Sequence, residues 1–331
     1  MGGIALLLGC AGNGESGAPT HVRPTFLDEP LADLPERLSD VGIYPELPAL
    51  RLAPQALAYE PGYPLWSDGG AKQRALVLPV GASIDASDPA SYAFPSGTLL
   101  FKTFSFRTAA SPDRVVPVET RLLRLGAEGW ELAAYGWDDD AADATLLDLK
   151  RAQTREVLGD DGEPVSHSIP SRLQCRQCHE SSPNQVLGLS ELQLAKSGSL
   201  AALASRLAPA PHAPYDALPE QGPLTTAVLG YFVGNCTHCH NGTNGAASSF
   251  DLRPRVALDN VIDQPTASSA SADGIRIEPG RPEESVLYLA MRGDDDSDAK
   301  NMPPLGVARR DASALELLDH WIRALGDEPD P

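Results

Sequence analysis

The sequence predicts an α+β, multidomain chain, in which an N-terminal antiparallel β-sandwich-like region precedes mainly α-helical domains. Three observations predict it. Alternating apolar and polar runs punctuated by Gly and Pro fill residues 41–165. After about residue 166 they give way to short helix-like runs between loops. Beyond Asp311, Leu315, Leu318, Trp321, Ile322 and Leu325 form a single apolar face at helical spacing.

The elements follow in order. "RALVLPVG" (74–81) reads as a short apolar strand, and "TLLFKTFSF" (98–106) as a longer one with Leu100, Lys102, Phe104 and Phe106 on one face. "VPVETRLLRL" (116–125), the turn "GAEG" and "WELAAYGW" (130–137) read as a hairpin. Strands of this kind with Gly/Pro punctuation favour an antiparallel sandwich. Tyr, Trp and Lys positions here are expected in core and surface rather than in a substrate site. Downstream, "LSELQLAKSGSLAALASRL" (189–207) is helical in composition and broken near Ser197–Gly198. "PAPHAPYDALPEQGP" (209–223) is a proline-rich connector, and "LTTAVLGYFVGN" (224–235) is a helical run. Asp311 and Ser313 are the expected caps of the last helix.

Length and charge narrow the function. The 331 residues suffice for two or three domains. A formal net charge of −19 argues against nucleic acid, whose phosphates select Lys/Arg surfaces, and favours basic partners. No run approaches the roughly 18 apolar residues of a membrane span.

Four of the five cysteines fall in two copies of one motif, "CRQCHES" (175–181) and "NCTHCHN" (235–241). Cysteines at i and i+3 reach the two vinyl groups on one edge of a haem, and the next residue, His, offers a nitrogen to the iron. Cys175, Cys178, Cys236 and Cys239 are therefore expected as thioether attachment points for two covalently bound haem c groups, with His179 and His240 as proximal iron ligands. A zinc site of four thiolates is the rival. The 57 residues between Cys178 and Cys236 are long for one zinc knot, and zinc gives no reason for a His after each pair. A thioredoxin-like redox pair lacks the surrounding βαβ pattern.

Met302, in "AKNMPPLG" (299–306), is expected as the distal ligand of the second haem, since Met opposite His is a frequent and potential-raising pairing. At the first haem, His167 and His212 are the candidate distal ligands, with His167 preferred; His238 is poorly placed. The acidic clusters Asp138, Asp139, Asp140, Asp143 and Asp294, Asp295, Asp296, Asp298 lack the ligand spacing of a calcium loop and read as solvated turns.

The order of helix, second motif, Met loop and closing helix resembles a class I cytochrome c domain, with residues 230–232 crossing residues 318–322. "PLWSDGGAKQR" (64–74), "FPSGTLLFKTFSF" (94–106), "VETRLL" (118–123), "YGWDDDAADATLL" (135–147), "IPSRLQCRQCH" (169–179), "QVLGLSELQL" (185–194), "CTHCHNG" and "NMPPLG" stand in one order. Together they resemble a bacterial family of exported di-haem c-type cytochromes with a β-rich N-terminal region. The resemblance runs from about residue 40 to 326. It implies electron transfer, with helical parts that are cytochrome c-like haem domains, and it assigns no role to the N-terminal blocks.

The N-terminal "IALLLGCAGNGESGAP" resembles a bacterial lipoprotein signal with Cys10 as the lipidated residue, although no Lys or Arg precedes the apolar run and the run is short. The expected organisation is a lipoprotein-type signal and linker (1–40), a β-rich domain (41–165), a first haem-binding segment (166–222) and a second haem domain (223–331). The expected function is a non-enzymatic electron carrier, periplasmic or on the cell surface, serving another cytochrome or a dehydrogenase. The membrane is reached only through a lipid anchor. A di-haem peroxidase-like oxidoreductase with one open iron is the alternative, though such enzymes space their motifs further apart than the 61 residues from Cys175 to Cys236. A third reading makes the β-rich region a docking module for a dehydrogenase or a glycan, with the haems as relay.

Overall fold

One long antiparallel sheet organises the N-terminal half. The computed structural model describes residues 25–28, 33–183, 185–243, 250–266, 274–293 and 299–327. Cys10 and the acidic residues 294–296 and 298 lie outside them. The first elements are α1 (Leu38–Val41), β1 (Leu57–Ala58), β2 (Ala71–Val77) and β3 (Ile84–Asp85). Then come β4 (Leu99–Thr108), β5 (Ser111–Gly126), β6 (Gly129–Trp137), β7 (Ala144–Leu146), β8 (Gln153–Leu158) and β9 (Pro164–Ile169). The sheet runs β1-β2-β4-β5-β6-β7, with β8 pairing β4 and β9 pairing β8.

Aromatic and branched side chains fill β4 and β5, as a pleated, half-buried surface favours. The β5–β6 hairpin closes on the pair Gly126↔Gly129, and Gly129 takes φ +111°, which a Cβ would resist. The β4–β5 register slips between Phe104↔Glu119 and Ser105↔Pro117. Val118 is the extra residue of this bulge, beside a proline that has no N–H to give the ladder.

Alternation sends the two faces to different neighbours. One carries Phe101, Leu122, Tyr135 and Trp137 against Phe26, Leu38, Val41 and Ile43. The other carries Leu76 and Leu100 against Tyr59, Tyr92, Leu194 and Leu203. The last two belong to α3 (Glu191–Ser197) and α4 (Ser199–Leu203), which follow α2 (Arg172–His179). A further strand, β10 (Leu207–Ala208), pairs parallel with β3.

Two parts of the expected fold are corrected here. The sandwich is replaced by a single eight-stranded sheet, because the N-terminal segment and short helices cover the faces that a second sheet would cover. Nor is the chain dominated by mainly α-helical, cytochrome c-like domains: helix makes up 26% and strand 27% of the described residues, and a large eight-stranded antiparallel sheet organises them. Helices of five to seven residues such as α3 and α4 are too short to stand alone, and they bury Leu194, Leu200 and Leu203 against the sheet.

The C-terminal part holds α5 (Pro223–Asn235), α6 (Ala257–Val261), α7 (Val286–Arg292) and α8 (Ala312–Asp327). Phe232 of α5 meets Trp321 of α8 edge to face at 6.5 Å between centroids, and Trp321 Nε1 donates to Thr225 Oγ1 at 3.1 Å. Of the two expected caps of α8, Asp311 accepts the Ala314 N–H at 3.1 Å. Gly230 and Gly234 of α5 turn to the Tyr63–Pro64 segment instead, where a Cβ on Gly234 would stand 2.6 Å from the Tyr63 carbonyl oxygen. Among the described residues no helix is long and apolar enough to cross a membrane.

Candidate functional site: a cavity shared by both cysteine motifs

The first motif is carried by α2. Ser171 caps it in a reciprocal box with Gln174: the Ser171 N–H donates to Gln174 Oε1 at 2.9 Å, and the Gln174 N–H donates to Ser171 Oγ at 3.4 Å. Helical spacing then sets Cys175, Cys178 and His179 on one face. The second motif begins where α5 stops. There the N–H groups of Cys239 and His240 both donate to the Cys236 carbonyl, at 3.1 and 2.9 Å, winding the motif into a tight turn. Buried Asn241 ties the two motifs together, donating from Nδ2 to the Ser181 carbonyl at 2.8 Å.

Both motifs open on one cavity of about 1830 Å³, larger than the roughly 300–1,000 Å³ of a single small-ligand pocket. All four motif cysteines line it, as do His179, His240 and Met302. The ligating atoms of Cys178, His238 and Cys239 lie within 4.8 Å of one another. Burial pushes the Cys236 thiol up to about 12 and raises that of Cys175. A hydrogen bond between Cys178 and Cys239 raises the first thiol and lowers the second.

Burial draws both motif histidines down to about 4, so each imidazole is neutral near pH 7, the form that ligates a metal. His179 Nδ1 is 2.7 Å from the Gln185 carbonyl oxygen. A carbonyl only accepts, so Nδ1 carries the proton and Nε2 keeps its lone pair, as metal-ligating histidines are commonly held. His240 stacks on Phe250 with ring centroids 4.5 Å apart. Neutral imidazoles, half-buried thiol pairs and a cavity of this size fit haem c. A four-thiolate zinc knot fits less well, because among the described residues Cys175 and Cys236 stay outside the close Cys178–His238–Cys239 group.

Three of the four sequence blocks that had no assigned role, 64–74, 94–106 and 118–123, contribute side chains to the same cavity. Register places Arg74 opposite Lys102 and Lys102 opposite Arg121, three cations abreast on β2, β4 and β5. Arg74 pairs with Glu60 at 2.5 Å. Arg121 grips buried Glu119 through Nε and Nη2 at 2.6 and 2.9 Å. Burial works to raise the Glu119 carboxyl, yet the Arg121 charge and bonds from His167 and Arg121 leave it below the ordinary range. Burial, followed by the charges of Arg74, Arg121 and Lys72, holds the Lys102 ammonium well below the lysine range. These positions alternate like a solvated strand face, which is why sequence reasoning assigned Lys102 to core or surface.

The remaining predicted residues are placed as follows. Met302 packs against Val286, Ala290 and Ala299, and its N–H donates to the Ala290 carbonyl at 2.9 Å. His167 is buried in β9 and lines the cavity, with Nε2 3.1 Å from Glu119 Oε2. Its Nδ1 has no hydrogen-bond partner and lies 4.0 Å from Asp68 Oδ2, likewise unpartnered. His212 is exposed and does not line the cavity. His238, read as poorly placed, joins the close group with Cys178 and Cys239. Asp138 and Asp143 pair with Arg37 at 2.8 and 3.1 Å, so this acidic turn is held by a guanidinium. Comparison with known proteins finds no matching family model, no matching curated protein and no matching solved structure.

Proposed function

We propose that the chain is a di-haem c-type cytochrome that carries electrons between redox partners in the bacterial cell envelope. One observation carries this reading: two Cys-x-x-Cys-His motifs, 57 residues apart, face one cavity large enough for two macrocycles. Cys175, Cys178 and His179 would hold one haem, and Cys236, Cys239 and His240 the other. Met302 would be the sixth ligand of the second. At the first, His167 would ligate through Nδ1, the nitrogen without a hydrogen bond. Bound haem supplies an iron that exchanges single electrons at a potential tuned by axial ligand, burial and charge. The chain's own contribution is to hold each imidazole neutral, to fix the His179 ring through Gln185, and to exclude water behind Phe250, Leu252 and Val286. With a net charge of −19, the surface suits basic partners such as another cytochrome or a dehydrogenase.

The test is the full chain matured in a host that attaches haem c. It is expected to be coloured, to carry the mass of two covalent haems, and to lose one of them in Cys175→Ala/Cys178→Ala. Colourless protein with only metal mass would overturn the reading.

A second reading has its own observation. The Cys178, His238 and Cys239 ligand atoms, within 4.8 Å of each other, form a ready N/S₂ set for a softer metal ion such as zinc. Equimolar zinc in protein whose motif thiols can be alkylated after chelation would favour it.

A further inference from the structure

The cation row on the sheet has no counterpart in the haem attachment chemistry. Arg74, Lys102 and Arg121 stand directly opposite one another on three adjacent strands. Like charges so placed destabilise a sheet, and Lys72 adds a fourth on the same face. The outer two are neutralised, Arg74 by Glu60 and Arg121 by Glu119. Glu119 is fully engaged, by Arg121 and by His167. Asp68 gives Oδ1 to two backbone N–H groups. The Lys102 ammonium, in the middle, makes no ion pair or hydrogen bond with any described residue; its Nζ sits 4.6 Å from the Phe104 ring centroid, and Arg121 Cζ shares that ring at 4.5 Å. Lys102 and Arg121 both line the cavity.

A half-buried ammonium between two guanidinium groups is costly unless the cavity supplies an anion. We propose that Lys102, flanked by Arg121, anchors a carboxylate-binding site on the sheet wall of the cavity. A carboxylate meets one point charge at Lys102, beside the Arg121 guanidinium, which lines the same cavity. The carboxylate has two sources. One is a side arm of a bound macrocycle, and this source rests on the di-haem reading. The other is a small carboxylate from solution, which would make the cavity a substrate or effector site whatever cofactor the cysteines hold.

The experiment uses the full matured chain, its Lys102→Gln variant and the charge-keeping Lys102→Arg. Each is titrated with succinate by calorimetry and taken through a redox titration of both haems. If the macrocycle is the source, Lys102→Gln shifts one midpoint potential, Lys102→Arg restores it, and succinate binds to neither. If the source is soluble, succinate binds the parent and Lys102→Arg about tenfold or more tighter than Lys102→Gln, with both potentials unmoved. Lys102→Met, which keeps the stem on Phe104, replaces the glutamine variant if that one does not fold. A neutral variant that alters neither succinate binding nor potential overturns the site. Protein without haem would sink the di-haem reading alone, because the succinate arm still reports on Lys102.

Discussion

Asp68 and Arg309, 241 residues apart, meet where the sheet side of the molecule joins the segment after Met302: Asp68 Oδ1 accepts the Arg309 N–H at 2.8 Å and the Ala308 N–H at 2.8 Å. The same short stretch reaches the junction again, since Trp66 Nε1 donates to the Arg309 carbonyl at 3.1 Å. The Trp66 N–H donates to Asn235 Oδ1 at 2.7 Å, at the end of α5 and the start of the second motif. Residues 64–70 thus brace both the Met302 loop and the second Cys-x-x-Cys-His turn from the β-rich side, and the two halves share one cavity wall.

Removing that brace should be measurable. Asp68→Ala leaves two backbone N–H groups without their carboxylate, and bonds to a charged acceptor contribute about 1.5–3 kcal/mol. The variant is expected to unfold at lower denaturant, with faster amide exchange at Ala308 and Arg309 than elsewhere in the chain. Asp68→Asn keeps an oxygen at Oδ1 and should lose less. Unchanged protection at both amides in Asp68→Ala would show that the brace is not used.

Gly234 makes a steric prediction on the same contact. A Cβ there would meet the Tyr63 carbonyl oxygen at 2.6 Å and the Pro64 carbonyl oxygen at 3.0 Å, both backbone atoms that cannot swing aside. Gly234→Ala is expected to destabilise by about 1–3 kcal/mol, although alanine is the better helix former. Thermal unfolding of the two proteins decides it. A more stable alanine variant would mean that α5 and residues 63–64 do not approach so closely.

Much of this was readable from residue patterns and some was not. The strands at 98–106 and 116–137 were visible because β-branched and aromatic residues alternate and glycines mark the hairpin. The closing helix was visible for a similar reason, its single apolar face, whereas the helix before the second motif is apolar nearly all round and was legible only as a helical run. The single sheet was not, because alternation says that a strand has a buried face and not what buries it. Arg74, Lys102, Glu119 and Arg121 were missed on the same ground: a charged residue at every second position looks the same whether it faces water or a walled cavity. His238 was missed because only the fold brings it against Cys178, from the other motif.

Asp143 yields a pH prediction. Burial works to raise its carboxyl, but N–H bonds from Ala144 and Ser39, the Ser39 hydroxyl and Arg37 outweigh it and hold the group below the ordinary aspartate range. A folded-state pKa below the unfolded value means that the unfolded chain takes up the proton first. The stabilisation is therefore fully present above the unfolded value near 3.8 and is lost as pH falls through the depressed folded value. Asp143→Asn should cost stability at pH 7, and its difference from the parent should shrink in acid. A gap that stays constant from pH 7 to pH 3 would contradict the assignment.

Cys178 and Cys239 yield a redox prediction for the chain with its motif thiols free. Cys178 and Cys239 belong to different motifs, yet their ligating atoms lie within 4.8 Å and share a hydrogen bond that lowers the Cys239 thiol. The thiolate is the attacking species in disulfide chemistry, so Cys239 is the nucleophile and Cys178 its nearest partner. Treated with diamide, which takes up the two hydrogens, the haem-free full chain is expected to form a Cys178–Cys239 bridge ahead of a bridge within either motif. Peptide mapping under non-reducing conditions distinguishes the two. On the di-haem proposal the distinction matters: a bridge inside one motif would block one attachment site, whereas a bridge between motifs removes one thiol from each and would block both. Oxidised chain offered to the attachment machinery should then gain no haem until it is reduced, and retention of one haem would show that the motifs oxidise separately.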